Sequence, residues 1–304
     1  MNSLKTSIVG LALRNPTILA SGILGYSIGS FQRVIEGGVG AIVTKSIGLE
    51  ARKGYSNPTV FQTKNGLINS MGLPNPGITN YAPEISHAKT VLNVPLIVSV
   101  YGFSIEEYVI TAQKAAEAGA DAIELNVSCP HVKKTGSEIG QNPKILSQVV
   151  RKVKAKIEKP VIVKLSPNVT DIIEVARAAV NAGADALTAT NTVRALAIDV
   201  ETTRPILSNT FGGLSGPAVK PITLRCVYEL YSKLDVPIIG CGGITDWSDA
   251  VEFLLAGASA IQIGTAIALK NTEVFNTINH GIYEYLKKKR LRSVNEIVGL
   301  SHKK

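Results

Sequence analysis

The sequence predicts an α/β fold, a (β/α)8 barrel with an N-terminal strand pair and long insertions on its C-terminal face, as one domain over residues 1–304. Three observations lead there. A phrase that opens an apolar run recurs at Gly38-Val-Gly-Ala-Ile, Gly119-Ala-Asp-Ala-Ile, Gly183-Ala-Asp-Ala-Leu and Gly257-Ala-Ser-Ala-Ile. A second phrase, proline running straight into β-branched residues, recurs at Pro16, Pro95, Pro160 and Pro237. The two alternate strictly along the chain, mostly with helical patterns between them. Eight near-continuous apolar strands spaced in this way imply parallel strands buried on both faces. Eightfold βα alternation closes into a barrel. A doubly wound open sheet is disfavoured, because no strand runs into a convincing G-x-G-x-x-G turn.

Taken in order, the chain opens on an alternating stretch, Ser7 to Leu13, that reads as a strand pair. Gly10, Asn15 and Pro16 interrupt it, which argues against a signal-peptide core. Each repeat glycine follows a helical pattern and suits a helix C-terminal cap. Each proline stands at the first residue of a strand, where it is tolerated. Counting forward from these markers gives the strand ends: Lys45, Asn126, Thr190 and Gly264 after the glycines, Ala20, Ser99, Lys164 and Cys241 after the prolines. All eight are expected to ring one mouth, where barrels carry their chemistry. Three connections leaving that mouth are longer than a barrel requires: Ser46 to Val94, Val127 to Gln141 and Asn191 to Lys220. Long connections on this face usually carry substrate contacts or act as lids.

Composition narrows the class. Of 304 residues, 45% are hydrophobic and 18% charged, enough for a core and incompatible with disorder. The cysteines Cys129, Cys226 and Cys241 form no C-x-x-C pair, which leaves no disulfide framework, iron–sulfur set or structural zinc pattern. Cytoplasmic localisation is the expectation. No apolar run approaches the ~20 residues of a membrane span, so no membrane insertion is expected. Much of the +9 charge lies in Lys287-Lys-Lys-Arg290, Arg292 and Lys303-Lys304. Without aromatic interleaving this reads as a solvated terminal helix rather than a nucleic-acid surface.

The chemistry gathers at strand ends. After the fourth strand, Asn126-Val-Ser-Cys-Pro-His131 puts a carboxamide, a hydroxyl, a thiol and an imidazole on a glycine-containing loop. A free cysteine is ordinarily a small buried hydrophobe, but the end of a buried strand is where a scaffold presents reactive groups. Lys45 and Lys164 each need an anionic partner if buried. Glu124 lies two residues before Asn126, beneath the mouth, so a bound anionic or electron-accepting ligand is the expected partner. Glycines at Gly212-Gly, Gly216, Gly240, Gly242-Gly243 and Gly264-Thr265 follow strands six to eight. Barrels commonly hold phosphate after strands seven and eight, so a flavin mononucleotide with its ring over the barrel centre fits. Asn69, Asn126 and Asn191 are suited to the edges of a planar imide, since amides both donate and accept.

These motifs resemble one family. Asn126-Val-Ser-Cys-Pro, Asn69-x-x-Gly-Leu-x-Asn-Pro-Gly, Val163-Lys-Leu-Ser-Pro-Asn, Asn191-Thr, Gly213-Leu-Ser-Gly-Pro-Ala and Gly242-Gly-Ile are similar to class 1 dihydroorotate dehydrogenase, from about Leu4 to about Ala268. Asn191 to Asp199 and Cys129 to Lys133 look most like the class 1B catalytic subunit. Cys129 argues against class 2 enzymes, which use serine there.

The resemblance implies an FMN-dependent oxidation of dihydroorotate to orotate in de novo pyrimidine biosynthesis. Cys129 would be the base and Lys164 would stabilise charge on the reduced flavin. Ser21, Lys45, Ser46, Ser99, Asn126, Lys164, Thr190, Gly216, Gly242, Gly243, Gly264 and Thr265 would hold FMN. Lys45, Asn69, Met71, Gly72, Leu73, Asn126, Asn191 and Thr192 would hold the substrate. The implied assemblies are a homodimer and a heterotetramer with a subunit carrying FAD and a 2Fe–2S cluster. Two positions depart from the family pattern: His131 and Ser99 each stand where an asparagine is usual. The alternatives are a flavin barrel acting on another dihydropyrimidine, and a flavin-free phosphate-binding lyase or isomerase using Lys164.

Overall fold

The structure is a computed structural model that describes residues 3–127 and 136–303. Its centre is a closed barrel of parallel strands: β1 (Thr17–Leu19), β2 (Ala41–Val43), β3 (Leu96–Val100), β4 (Ala122–Asn126), β5 (Val161–Lys164), β6 (Ala186–Ala189), β7 (Ile238–Cys241) and β8 (Ala260–Ile263). These are the eight strands that the alternating phrases mark. The helices that follow them in turn are α1 (Ile28–Glu36), α2 (Ile78–Val91), α3 (Ile105–Glu117), α4 (Pro143–Lys154), α5 (Ile172–Asn181), α6 (Lys220–Lys233), α7 (Trp247–Leu255) and α8 (Val274–Lys289).

Strand pleating sorts side chains into two cores. Outward residues such as Ile42, Val98, Leu125, Val163 and Ile261 join the helix faces in the larger core. Helix α3 shows the match: Tyr108, Thr111, Ala112 and Ala115 fall on one face and are buried, while the Ser104 hydroxyl caps its start by accepting from the Glu107 N–H. Inward residues Ile18, Ala41, Val43, Ile97, Ala122, Ile162, Ala186, Ile239 and Ala260 form a smaller core inside the barrel. Ile8 and Leu13 of the N-terminal hairpin (Thr6–Ile8 paired with Leu11–Leu13) pack into that inner core and close the barrel floor.

The recurring phrase has a structural use. Asp121 and Asp185, third residues of two repeats, each take a lysine from the helix one βα unit earlier, Lys89 of α2 and Lys154 of α4, both at 2.7 Å. The same carboxylates accept the Leu96 and Val161 N–H groups at 2.8 and 2.7 Å. Each aspartate thereby ties the start of the neighbouring strand to its own.

Two of the long connections meet above the barrel. Val60–Thr63 and Gly66–Asn69 from the first pair with Phe211–Ser215 and Val193–Leu196 from the other in a four-stranded antiparallel sheet. Asn69 stands opposite Gly213 in that ladder, so the sheet forms a wall over the mouth.

Candidate active site

Above the inner core the barrel turns polar. Ser99, Glu124, Thr188 and Gln262 are all buried, one level below the mouth. The next level opens into a cavity of about 480 Å³, within the range that takes cofactor-sized ligands.

Of the strand-end residues expected to ring the mouth, Lys45, Asn126, Thr190, Gly264, Ala20, Lys164 and Cys241 line this cavity. Ser99 does not, which corrects the expectation for that position. The register puts Ser99 opposite Glu124, two residues beneath Asn126. Its hydroxyl lies 2.9 Å from the Ser46 Oγ, so it reaches the cavity only through Ser46. Ser46 is the hub of this side: Asn126 Nδ2 donates to it at 2.9 Å and the Ser21 hydroxyl lies 3.2 Å away.

The remaining residues inferred to hold ligands, Asn69, Met71, Gly72, Leu73, Asn191, Thr192, Gly216, Gly242, Gly243 and Thr265, also line the cavity. Cys129 and His131 lie outside the described residues. The three amides are held by different means, and Asn69 Nδ2 donates to the Gly213 carbonyl at 3.4 Å. Tyr108 donates to the Asn126 carbonyl at 2.9 Å, fixing the end of β4. Asn191 Nδ2 donates to Asn126 Oδ1 at 3.3 Å, while Asn168 receives the Arg194 N–H at 2.9 Å and donates to the Thr192 carbonyl at 3.0 Å. Asn75, buried, accepts from the Gly48 and Gly77 N–H groups at 3.2 and 2.9 Å and donates to the Tyr101 hydroxyl at 2.8 Å. That clamp carries the turn with Met71, Gly72 and Leu73 against the barrel.

The lysines differ. Lys164 Nζ donates to Gln262 Oε1 at 2.8 Å and lies 3.7 Å from Glu124 Oε1. The expectation that Glu124 sits too low to serve is therefore corrected. Asn126 faces Lys164 across the β4–β5 ladder, and Glu124 stands two residues below Asn126, a step the lysine stem spans. Burial alone would pull the Lys164 ammonium down, but the Cys241 sulfur and the Glu124 carboxylate outweigh it and its pKa is raised. The Cys241 thiol is pushed up by burial, which Lys164 only partly opposes. Glu124 is the carboxylate countercharge that Lys164 meets in this interior. For Lys45, burial is the cause of a lowered pKa, with no carboxylate among the contributors.

Glycine backbone lines the other side. A Cβ on Gly22 would meet nothing within 4 Å, and one on Gly264 would touch only the Ala20 Cβ at 3.4 Å. At Gly216, Gly242 and Gly243, φ is +94°, +124° and +84°, which side-chain-bearing residues rarely adopt. A Cβ on Gly242 or Gly243 would also come within 2.6 Å of Thr223 or Lys220. Ser215 and Gln262 join the site without being among the residues the sequence points to. Ser215 accepts the Thr265 hydroxyl at 2.8 Å and lines the cavity, as does Gln262. The signal for Gln262 was a lone amide in the apolar strand Ala260–Ile263.

The sequence model of the family described as dihydroorotate dehydrogenase matches residues 3–286. This chain belongs to that family. It is 54% identical over 300 residues to the Pyrococcus abyssi protein named dihydroorotate dehydrogenase B (NAD(+)), catalytic subunit, covering 99% of each chain. Proteins of the same name from Pyrococcus furiosus and Methanothermobacter thermautotrophicus are 53% and 49% identical over 301 residues, covering 99% and 98% of each chain. These relatives bear out the class 1B resemblance. Among the described residues no helix is long and apolar enough to cross a membrane, and no group of His, Cys, Asp or Glu is arranged to hold a metal ion.

Proposed function

We propose that this chain oxidises dihydroorotate to orotate in de novo pyrimidine biosynthesis, as the FMN-carrying catalytic subunit of a class 1B enzyme in the cytoplasm. The observation that carries the reading is the composition of one cavity: Asn69, Asn126, Asn191 and two lysines on one side, bare glycine backbone on the other. An anionic, imide-bearing ring needs amides and cations together. A phosphorylated cofactor needs close backbone approach.

The family is flavin-dependent, and the residues present fit FMN. Gly22 and Gly264 leave room where a side chain would intrude. Gly216, Gly242, Gly243, Gly264 and Thr265 would hold the phosphate and ribityl end, with Ser21, Ser46, Asn126 and Thr190 along the ring. Bound FMN would supply the hydride acceptor. Lys164 keeps a positive charge at the cavity floor, where negative charge develops. Lys45, costly to bury without a partner, meets the substrate carboxylate. Asn69, Asn126, Asn191 and Thr192 orient the pyrimidine, with backbone from Met71 to Leu73 alongside. Cys129 takes the proton from C5.

A flavin-free lyase using Lys164 as a Schiff-base nucleophile is disfavoured. Such a lysine needs a lowered pKa, and the Glu124 carboxylate holds this one in its charged form. For the assembly, the proposal is a homodimer joined to a subunit with FAD and a 2Fe–2S cluster, which passes electrons to NAD. The test is whether the protein binds one FMN per chain and forms orotate from dihydroorotate with an artificial electron acceptor. A protein that binds no flavin would remove the proposal.

A further inference from the structure

Beneath the cavity floor lies a carboxylate that substrate binding does not use. Glu124 is 0% exposed. Its Oε2 accepts from Gln262 Nε2 at 2.6 Å and from the Thr188 hydroxyl at 3.0 Å. Its Oε1 has no hydrogen-bond partner and lies 3.7 Å from the Lys164 ammonium. Gln262 bridges the two, since its Oε1 accepts a hydrogen bond from Lys164 Nζ at 2.8 Å. A buried acceptor oxygen normally finds a donor, and here Oε1 has instead a cation at 3.7 Å that it does not fully engage. The lysine is therefore shared between a fixed anion below and whatever stands above it in the cavity.

We propose that Glu124 is a positioning residue that sets the reduction potential of the bound flavin, acting through Lys164. The inference rests on the flavin reading given above. Reduction brings negative charge to the ring, and Lys164 attracts it. Glu124 repels that charge and competes for the same ammonium. In a low-dielectric interior both terms are strong. The carboxylate thereby keeps the reduced flavin from being overstabilised, so that electrons leave it readily for the next carrier. Gln262 fixes the distance over which the two compete.

The experiment uses the FMN-loaded protein, slightly on the acid side of neutrality so that Lys164 keeps its proton without the carboxylate. Glu124→Gln is expected to favour the reduced flavin about tenfold, a rise of about 30 mV for a two-electron couple. Affinity for inorganic sulfite, whose flavin adduct is anionic, should tighten by a similar factor. The double variant Glu124→Gln with Gln262→Glu restores one carboxylate beside Lys164 and should return both values to the parent. A folded, flavin-bound Glu124→Gln protein with parental potential and sulfite affinity overturns the proposal. If that variant does not fold, Gln262→Glu alone adds a second carboxylate and should disfavour the reduced flavin about tenfold, a fall of about 30 mV, and an unchanged potential overturns the proposal equally. A chain that binds no FMN contradicts the flavin reading instead, which keeps the two failures apart.

Discussion

The Thr223 hydroxyl donates to the Gly242 carbonyl at 2.7 Å, joining helix α6 to the loop that leaves β7. That loop is packed so closely that a Cβ at Gly242 would sit 2.6 Å from the Thr223 methyl. Thr223→Val removes the donor while keeping the shape. A carbonyl left without its donor costs about 1–3 kcal/mol when fully buried, and less for this half-buried one. If the loop holds the cofactor phosphate, the variant loses several-fold in FMN affinity and little in riboflavin affinity. Titration of apoprotein with both flavins checks this, and equal losses would contradict it.

Lys45 gives a trade of stability against binding. Its ammonium is desolvated, with no carboxylate offsetting the cost. Lys45→Met keeps the stem and drops the charge. The melting temperature of the unliganded protein should rise, by an amount equivalent to about 0.5–2 kcal/mol. Orotate affinity, read from perturbation of the flavin spectrum, should fall at least tenfold.

Asp249 ties stability to pH. Burial alone would raise its pKa, but the Lys220 ammonium at 2.7 Å and the Thr245 N–H and hydroxyl at 2.8 and 2.9 Å outweigh that and lower it. A carboxylate depressed in the folded state contributes stability that is complete above its unfolded pKa of about 3.9 and is lost as pH falls through the folded value. Asp249→Asn should therefore cost about 1–3 kcal/mol near neutrality and much less in acid. Urea unfolding of both proteins at several pH values checks the difference in slope.

The proposed base gives a kinetic prediction. A free thiol near its ordinary pKa of about 8.5 is mostly protonated at neutral pH. Flavin reduction by dihydroorotate should quicken with pH until Cys129 ionises in the complex. Cys129→Ser should be slow at every pH, because a hydroxyl is a weaker acid. Stopped-flow absorbance gives the profile, and a flat one from about pH 6 to about pH 9 would contradict thiolate catalysis.

What the sequence made legible was what repeats or alternates. The glycine and proline phrases mark all eight barrel strands because caps and strand starts are local requirements. The wall over the mouth was not legible. Its pairing of Asn69 with Gly213 joins distant insertions, and no periodicity encodes that register. Depth within a strand also misled. Counting from the proline put Ser99 at the mouth, but β3 runs on to Val100 and leaves Ser99 level with Glu124. Counting likewise put Glu124 out of reach of Lys164, because it measures Cα positions and a lysine side chain spans the step between inward-facing residues.

The most direct measurement mixes the FMN-loaded protein with dihydroorotate in the absence of oxygen and of any acceptor, and follows the flavin absorbance. The account predicts bleaching of one flavin per chain with an equivalent amount of orotate formed, and a Cys129→Ala protein that binds orotate yet stays yellow. A flavin that remains oxidised in the parent protein, with dihydroorotate bound, would contradict it.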